Sequence, residues 1–442
     1  MSKEGNAVRR YDRRRLLGGA LLLGAGSLGV ASCGRSDQRG GGSAANGTRL
    51  VLGWWGNDER DRRTREAIRT YSAAHDVQVT EQVANWDNYW DKLATQIAGG
   101  NAPDVLQMDY AYITQYASQG SLLELDSHIP KPLAIEDFDQ SSLKSGQVDG
   151  KTYAVSMGVN STSLYMNSTM LRKLGIELPD DTMTWDQYAE LMRRIATDAP
   201  DNVHGGPNLG RVDVAFEAWL IQRGATGRYS PDGSLGYDAD DFTEWLEFWH
   251  ELDSDGVLMP VEEEDALSGD VSDAPIATGT APFAVMWSNQ YAALTEATED
   301  DIEFHVLPQG NSSDAGPGQF YKASMLISVS ADTDYPDEAV EFAAALIGDP
   351  KVAGKLGFER GVPPDPKVRE RLKADAAEPD LRSMEYVEAI ESNLATVPPP
   401  DPAEAPELDT AFLYATDELF YGRFSVNQAV DHFFGEAEKI LG

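Results

Sequence analysis

The chain has 442 residues and carries 36 lysines and arginines against 73 aspartates and glutamates, a net charge of −37, so nucleic acid and anionic lipid are poor partners for it. A single cysteine excludes disulfides within a monomer, and the length suffices for two domains with a sizeable core each. The acidity has two readings, a solvated surface suited to an exposed or salty setting or the selection of a cationic ligand such as a polyamine; its spread over the whole chain favours the first.

The N-terminal segment is a targeting signal. Arg13-Arg14-Arg15-Leu16-Leu17 precedes an apolar, Gly-rich run that ends near Val30. At about 15 residues the run is too short to span a hydrocarbon core of ~30 Å as a helix. Adjacent arginines before it fit a twin-arginine export signal. Val30-Ala31-Ser32-Cys33 resembles a lipobox, in which the cysteine is acylated and becomes the first residue. Residues 1–32 are thus expected to be a signal peptide and Cys33 the lipid attachment point. Gly24-Ala25-Gly26-Ser27-Leu28-Gly29 matches a dinucleotide-binding pattern, but no strand precedes it and no helix with an acidic partner follows. Residues 33–48 are Gly-, Ser-, Asn- and Arg-rich without apolar periodicity and read as a flexible tether. A cut before Cys33 leaves 410 residues with 30 basic and 71 acidic side chains, net −41.

Residues 49–58 read as a strand ending in Trp54, Trp55, Asn57 and Asp58, followed by a helix through Ala67, Ile68 and Tyr71. Val77, Val79 and Val83 alternate as a second strand whose far end is Trp86. Asp87 is placed to cap a helix with Tyr89, Leu93 and Ile97 on one face, and Gly99-Gly100 supplies its left-handed stop. Residues 104–108 form a short apolar run that delivers Asp109 and Tyr110 at a strand's carboxyl end. The next helix turns Ile113, Tyr116 and Ala117 inward and stops at Gly120. Three strand ends, carrying Trp54 to Asp58, Trp86 with Tyr89, and Asp109 with Tyr110, are therefore expected to open on one side of one sheet, where α/β folds bind ligands. Alternation points one of Trp54 and Trp55 inward and the other toward the cleft, and leaves open which.

The order over residues 86–126 of helix, "aPDV" strand, polar tip, helix and Gly120-Ser121-Leu122-Leu123-Glu124-Leu125-Asp126 resembles the extracellular solute-binding proteins of ABC importers, in particular the group that binds carbohydrates. The resemblance implies an α/β, two-lobed periplasmic-binding-protein-like fold of type II, with a ligand cleft between lobes joined by hinge strands. It assigns residues 49–156 plus 288–348 to the first lobe and 157–287 plus 349–442 to the second. Residues 150–160 match the family's crossing strand, with a ligand contact at Asn160. Thr184-Trp185-Asp186-Gln187 matches a helix start where the Trp is structural. Residues 279–289 match a strand ending in the cleft, making Trp287 the leading stacking platform with Asn289 beside it. Tyr321, in the closing elements of the first lobe, and Arg360, in a "G-x-x-P" turn at the cleft rim, complete the set. The Pro-rich stretch 397–406 and helices ending at Leu441 match the family's closing segment.

Asp213 and Glu217 open a helix whose first turn faces the cleft, as acceptors for sugar hydroxyls or as ordinary complements of the helix dipole. Phe242, Trp245, Leu246 and Trp249 mark a core helix, and residues 262–265 read as an acidic surface loop without EF-hand spacing. A pyranose suits such a cleft because its C–H face packs on an aromatic ring while its hydroxyls need polar partners. Arg211, Arg223 or Arg360 could meet a uronate. The six histidines show no metalloprotease or zinc spacing, no G-x-S-x-G occurs, and the carboxylates are too numerous to single out a glycosidase pair. The expectation is a monomeric binding protein rather than an enzyme, without cofactor or metal. It takes a carbohydrate ligand, delivers it to permease transmembrane subunits, and touches the outer face of the cytoplasmic membrane only through its anchor. The competing readings are a binder of cationic solutes such as polyamines, an extracellular polysaccharide-active enzyme and a purely structural lipoprotein.

Overall fold

The computed structural model describes residues 47–442 apart from 57, 139, 313–314 and 400. The signal, Cys33, most of the tether and Asn57 lie outside the described residues. The principal strands are β1 (Thr48–Trp55), β2 (Val77–Ala84), β3 (Val105–Met108), β4 (Ala154–Asn160), β5 (Thr162–Asn167), β6 (Phe283–Trp287), β7 (Ile302–Glu303) and β8 (Lys322–Val329).

Alternation along β1 sends Leu50, Leu52 and Trp54 to one side and Trp55 to the other, so each face of the first sheet acquires its own core. β1 lies parallel to β2, with Leu50 opposite Val79, and parallel to β3, with Leu52 opposite Val105. β8 joins antiparallel and β4 closes the order β2-β1-β3-β8-β4. Helix α1 (Asp58–Ala74) starts with Asp58, Glu59 and Asp61, which complement its positive end, and buries Ala67, Ile68 and Tyr71. Helix α2 (Trp86–Ala98) is capped by Asn85, whose Oδ1 accepts from the Asn88 amide at 3.1 Å, two residues earlier than the Asp87 cap suggested by spacing. Its left-handed stop is Gly100, φ 65°. Helix α3 (Tyr110–Ser118) buries Ile113, Tyr116 and Ala117 and ends before Gly120, as the pattern implies.

In the second lobe β5 is flanked antiparallel by β6 and β7. Helices α4 (Trp185–Asp198), α5 (Asp213–Gln222) and α6 (Ala239–Ser254) build an aromatic core with the C-terminal helices Ala405–Phe420 and Val426–Leu441. Thr184 and Gln187 form a capping box, and the Trp185 indole donates to Gln222 Oε1 at 2.8 Å, a structural Trp as the resemblance implied. Residues 262–265 are not a free loop. Val261–Glu264 is a helical turn, and Glu264 and Asp265 pair with Arg211 at 3.1 and 2.6 Å.

Only Ser161 separates β4 in the first sheet from β5 in the second. Its amide donates to Ser288 Oγ at 3.3 Å and its carbonyl accepts from the Ser288 amide at 2.9 Å. Packing moves the expected lobe boundaries. Tyr291, Leu294 and Ile302 cluster with Tyr165 of the second lobe, although 288–348 was expected in the first. Val352 and Leu356 pack with Leu52, Trp54 and Phe342 of the first, although 349–442 was expected in the second. The chain re-enters the first sheet at Lys322, the first residue of β8, and not at residue 288.

Candidate functional site

The two tryptophans at the end of β1 are both taken by packing. Trp54 is fully buried and its indole donates to Asp61 Oδ1 at 2.8 Å, which removes it from any ligand. Trp55 is buried in the opposite core, with ring centroids 5.0 Å from Trp86, 5.1 Å from Tyr89 and 5.3 Å from Trp90. Tyr89 is also core, its hydroxyl donating to the Gln107 carbonyl at 2.6 Å. Trp86 is the open ring of this cluster, 41% exposed, and Asp58 is exposed at the start of α1.

A different group of expected residues does converge. Asp109 caps α3, accepting from the Ala111 amide at 3.0 Å, and turns the chain so that Tyr110 is buried beside it. The ring of Tyr110 lies 5.6 Å from Lys322 Nζ, and the ring of Trp287, half-buried at the end of β6, lies 5.4 Å from the same ammonium. Lys322 opens β8 opposite Asn160 of β4, which brings Asn160 to the same end of the sheet, buried and with Oδ1 lacking a hydrogen-bond partner among the described residues.

The second lobe adds carboxylates. On α5, Glu217 is half-buried and burial pushes its pKa up to about 7, against the opposing pull of Arg228. Burial also raises Asp401, which Lys322 and Arg228 partly hold down. Arg228 is buried and held by Asp409 at 2.7 Å and Asp213 at 3.3 Å, while its amide donates to Glu217 Oε1 at 3.3 Å. Asp213 therefore anchors Arg228 before it can serve a ligand. Residue 227 must be glycine here: φ is 139°, and a Cβ would stand 2.8 Å from Pro398 Cβ and 3.0 Å from Glu217 Oε1.

The remaining expectations are not brought to this group. Tyr321 is buried with its hydroxyl donating to the Val387 carbonyl. Arg360 is not at a rim: it is 2% exposed, donating to Gln107 Oε1 at 2.9 Å and Thr64 Oγ1 at 3.0 Å, and burial beside Arg60 pulls its pKa down to about 9. Asn289 is exposed in the turn after β6. Arg211 is occupied by Glu264, Asp265 and Asp417, and Arg223 by Glu244 at 2.6 Å, so neither is set for a uronate.

A groove of about 1300 Å³ lies between Asp149-Gly150 and Thr114 of the first lobe and the 225–234 loop of the second, with Pro398 and Asp401 in its wall. None of the expected site residues in the described chain lines it. Pro398 connects groove and cluster, because its carbonyl accepts from the Tyr110 hydroxyl at 2.7 Å. Sequence reasoning missed Lys322, Arg228 and Asp401. Lys322 was legible as the first residue of the strand after Tyr321, at the end where Asp109 and Asn160 emerge. Arg228 and Asp401 carried no local signal, since their positions depend on contacts between the 226–229 loop and the final helices. Among the described residues no group of three or more His, Cys, Asp or Glu is arranged to hold a metal ion.

Comparison with known proteins agrees with this architecture. Residues 66–380 match the family described as bacterial extracellular solute-binding protein. The galactooligosaccharide-binding protein of Bacillus subtilis is 28% identical over 38% of this chain, a stretch that spans only 39% of that relative. The diacetylchitobiose binding protein DasA of Streptomyces coelicolor is 26% identical over 82% of this chain and 85% of its own length. An extracellular solute-binding protein family 1 structure from Alicyclobacillus acidocaldarius superposes with a TM-score of 0.74 at 25% identity, covering 90% of this chain and 99% of that one. With a matched region covering well over half its length and two lobes meeting at a cleft, this chain belongs to the bacterial extracellular solute-binding protein family.

Proposed function

We propose that the protein captures an extracellular sugar or oligosaccharide between its lobes and delivers it to the transmembrane subunits of an ABC importer, without chemical turnover. The observation that carries this reading is the convergence of one aromatic ring from each lobe, Tyr110 and Trp287, on a single polar centre, with Lys322 Nζ 5.6 and 5.4 Å from them. A ring on either side supplies faces for sugar C–H groups. Asn160, Glu217, Asp401 and Lys322 supply the acceptors and donors that buried hydroxyls require. The adjoining groove, larger than the 300–1000 Å³ common for small-ligand pockets, suits a ligand of more than one ring.

Rotation about the crossing at Ser161, which Ser288 of the second lobe holds by hydrogen bonds, closes the lobes and presents a changed surface to the permease. Acylation at Cys33 keeps the protein, as a monomer, on the outer face of the cytoplasmic membrane. The oligosaccharide-binding names of its relatives support the ligand class. A thermal-shift screen of mono- and oligosaccharides, followed by calorimetric titration and a reducing-sugar assay, tests the reading. A sugar that raises the melting temperature, binds stoichiometrically and is returned intact is the expected result. No shift across the panel, or release of new reducing ends, would overturn it.

A further inference from the structure

Lys322 stands where an amine ligand would be expected. Its ammonium lies over the ring of Tyr110 and over that of Trp287, at 5.6 and 5.4 Å from the centroids, within the range over which a cation is drawn to an aromatic face. Glu217 and Asp401 are near enough for the same ammonium to favour their ionised forms. Two rings within cation–π distance of one positive nitrogen, with two carboxylates acting on it from farther off, have the composition of an amine-binding cage, and here the nitrogen is part of the chain.

We infer that Lys322 is a specificity-determining residue that fills this cage as a built-in cation and closes the site to cationic ligands, polyamines and amino sugars alike, leaving it to neutral or acidic sugars. The inference rests on the proposed ligand site and narrows its substrate class.

Two physical arguments support it. A tethered ammonium competes at an effective concentration in the millimolar range or above, so a free amine must displace it and also strand its charge. The need for exclusion is unusually strong in this molecule. A net charge of −37 concentrates free polycations around the protein, so a cage left empty would be occupied by amines before it met a sugar. Discrimination by occupying the wrong ligand's place works even where the right ligand's own contacts are modest. Lys322 begins β8 and pairs with Asn160, so the first sheet, and not a loop, fixes the base of its side chain.

The test titrates spermidine and tetramethylammonium into the wild-type protein and into Lys322→Met and Lys322→Arg. Methionine keeps an unbranched stem without the charge, and arginine keeps the charge. Wild type and Lys322→Arg should show no saturable amine binding, while Lys322→Met should bind both probes at least about ten-fold more tightly than wild type, the worth of one desolvated cation–π contact. If Lys322→Met does not fold, Lys322→Gln is held to the same criterion. Saturable amine binding by wild type, or continued indifference in a neutral variant whose ligand-free melting temperature stays within a few degrees of wild type, overturns the inference. A parallel titration with neutral oligosaccharides separates the two failures. Absence of sugar binding by wild type refutes the proposed function, whereas amine binding gained on neutralising Lys322 upholds the cage whatever the sugars do.

Discussion

The phenol of Tyr110 donates to the carbonyl of Pro398 across 2.7 Å, joining two residues 288 positions apart. The donor sits at the head of α3, directly after the carboxyl end of β3. The acceptor belongs to the proline-rich segment that leads into the last helices. A segment with several prolines has few amides of its own to organise it, so a side-chain donor from elsewhere fixes its path. Tyr110→Phe leaves the buried carbonyl unpaired and should lower the stability of the ligand-free protein by about 1 to 3 kcal/mol. Urea denaturation reads this directly, and an unchanged midpoint would show that the bond contributes nothing.

Trp287 and Trp54 should separate binding from folding. Trp287 is half-buried beside Lys322, so Trp287→Ala should weaken sugar affinity by roughly 2 to 4 kcal/mol and move the ligand-free melt little. Trp54 is fully buried and bonded to Asp61, so Trp54→Ala should cost about 3 to 5 kcal/mol of stability. Calorimetric titration alongside ligand-free melts distinguishes the pair. The same loss in both assays for Trp287→Ala would make it another core residue.

Asp109 has a duty that its place at a strand end does not reveal. Its carboxylate accepts from the Ala111 amide at 3.0 Å, so Asp109→Ala should destabilise α3 by about 0.5 to 2 kcal/mol even without ligand. Asn keeps the cap, and Asp109→Asn should melt close to wild type. Equal melts for all three proteins would remove the capping role.

Glu217 gives the fold a pH dependence of definite sign. Burial raises its carboxyl from 4.5 to about 7, so the folded state binds the proton more tightly than the unfolded chain. Its contribution is full below about pH 4.5 and is lost as pH rises toward 7, a change of order 1 to 3 kcal/mol. Asp401, raised by burial as well, acts in the same direction. Self-repulsion of the acidic surface also relaxes on acidification, so the diagnostic quantity is the difference between wild type and Glu217→Gln. That difference should fall as pH drops from 7.5 to 5, and parallel stability curves would rule the effect out.

Cys33→Ser should free the protein from the membrane fraction while its melting temperature stays at the wild-type value, since the thiol is the only one in the chain. Continued sedimentation with membranes would refute acylation at that residue.

The architecture was legible because its signals are local. The β1, α2, β3 and α3 segments follow from alternation, apolar spacing and glycine stops within windows of a dozen residues, and Trp185 announced itself through a capping box. The candidate site was legible only in part. Strand-end position predicted Tyr110 and Trp287 but could not tell them from Trp54, because alternation fixes that adjacent rings point oppositely and not which side is covered by helices. Arg360 looked like a rim residue from its turn, yet two partners on α1 and β3 draw it inside. Lobe boundaries failed for a related reason: whether 291–297 packs on Tyr165 or on the first sheet is decided by contacts more than a hundred residues away.

The one-residue crossing at Ser161 is pinned to Ser288, the residue that follows β6 in the second lobe. Because Ser161 and Ser288 bond to each other in both directions, the crossing is clamped to the turn after β6, and any bending of the backbone at Ser161 must carry that turn along or break both bonds. Both side chains are small and buried, so a bulkier one would have to displace its neighbours. Ser161→Thr or Ser288→Thr is expected to shift the resting angle between the lobes, which small-angle scattering of the ligand-free protein would read. The balance of open and shut forms, and with it the apparent grip on any ligand, should thereby be adjustable through two buried serines.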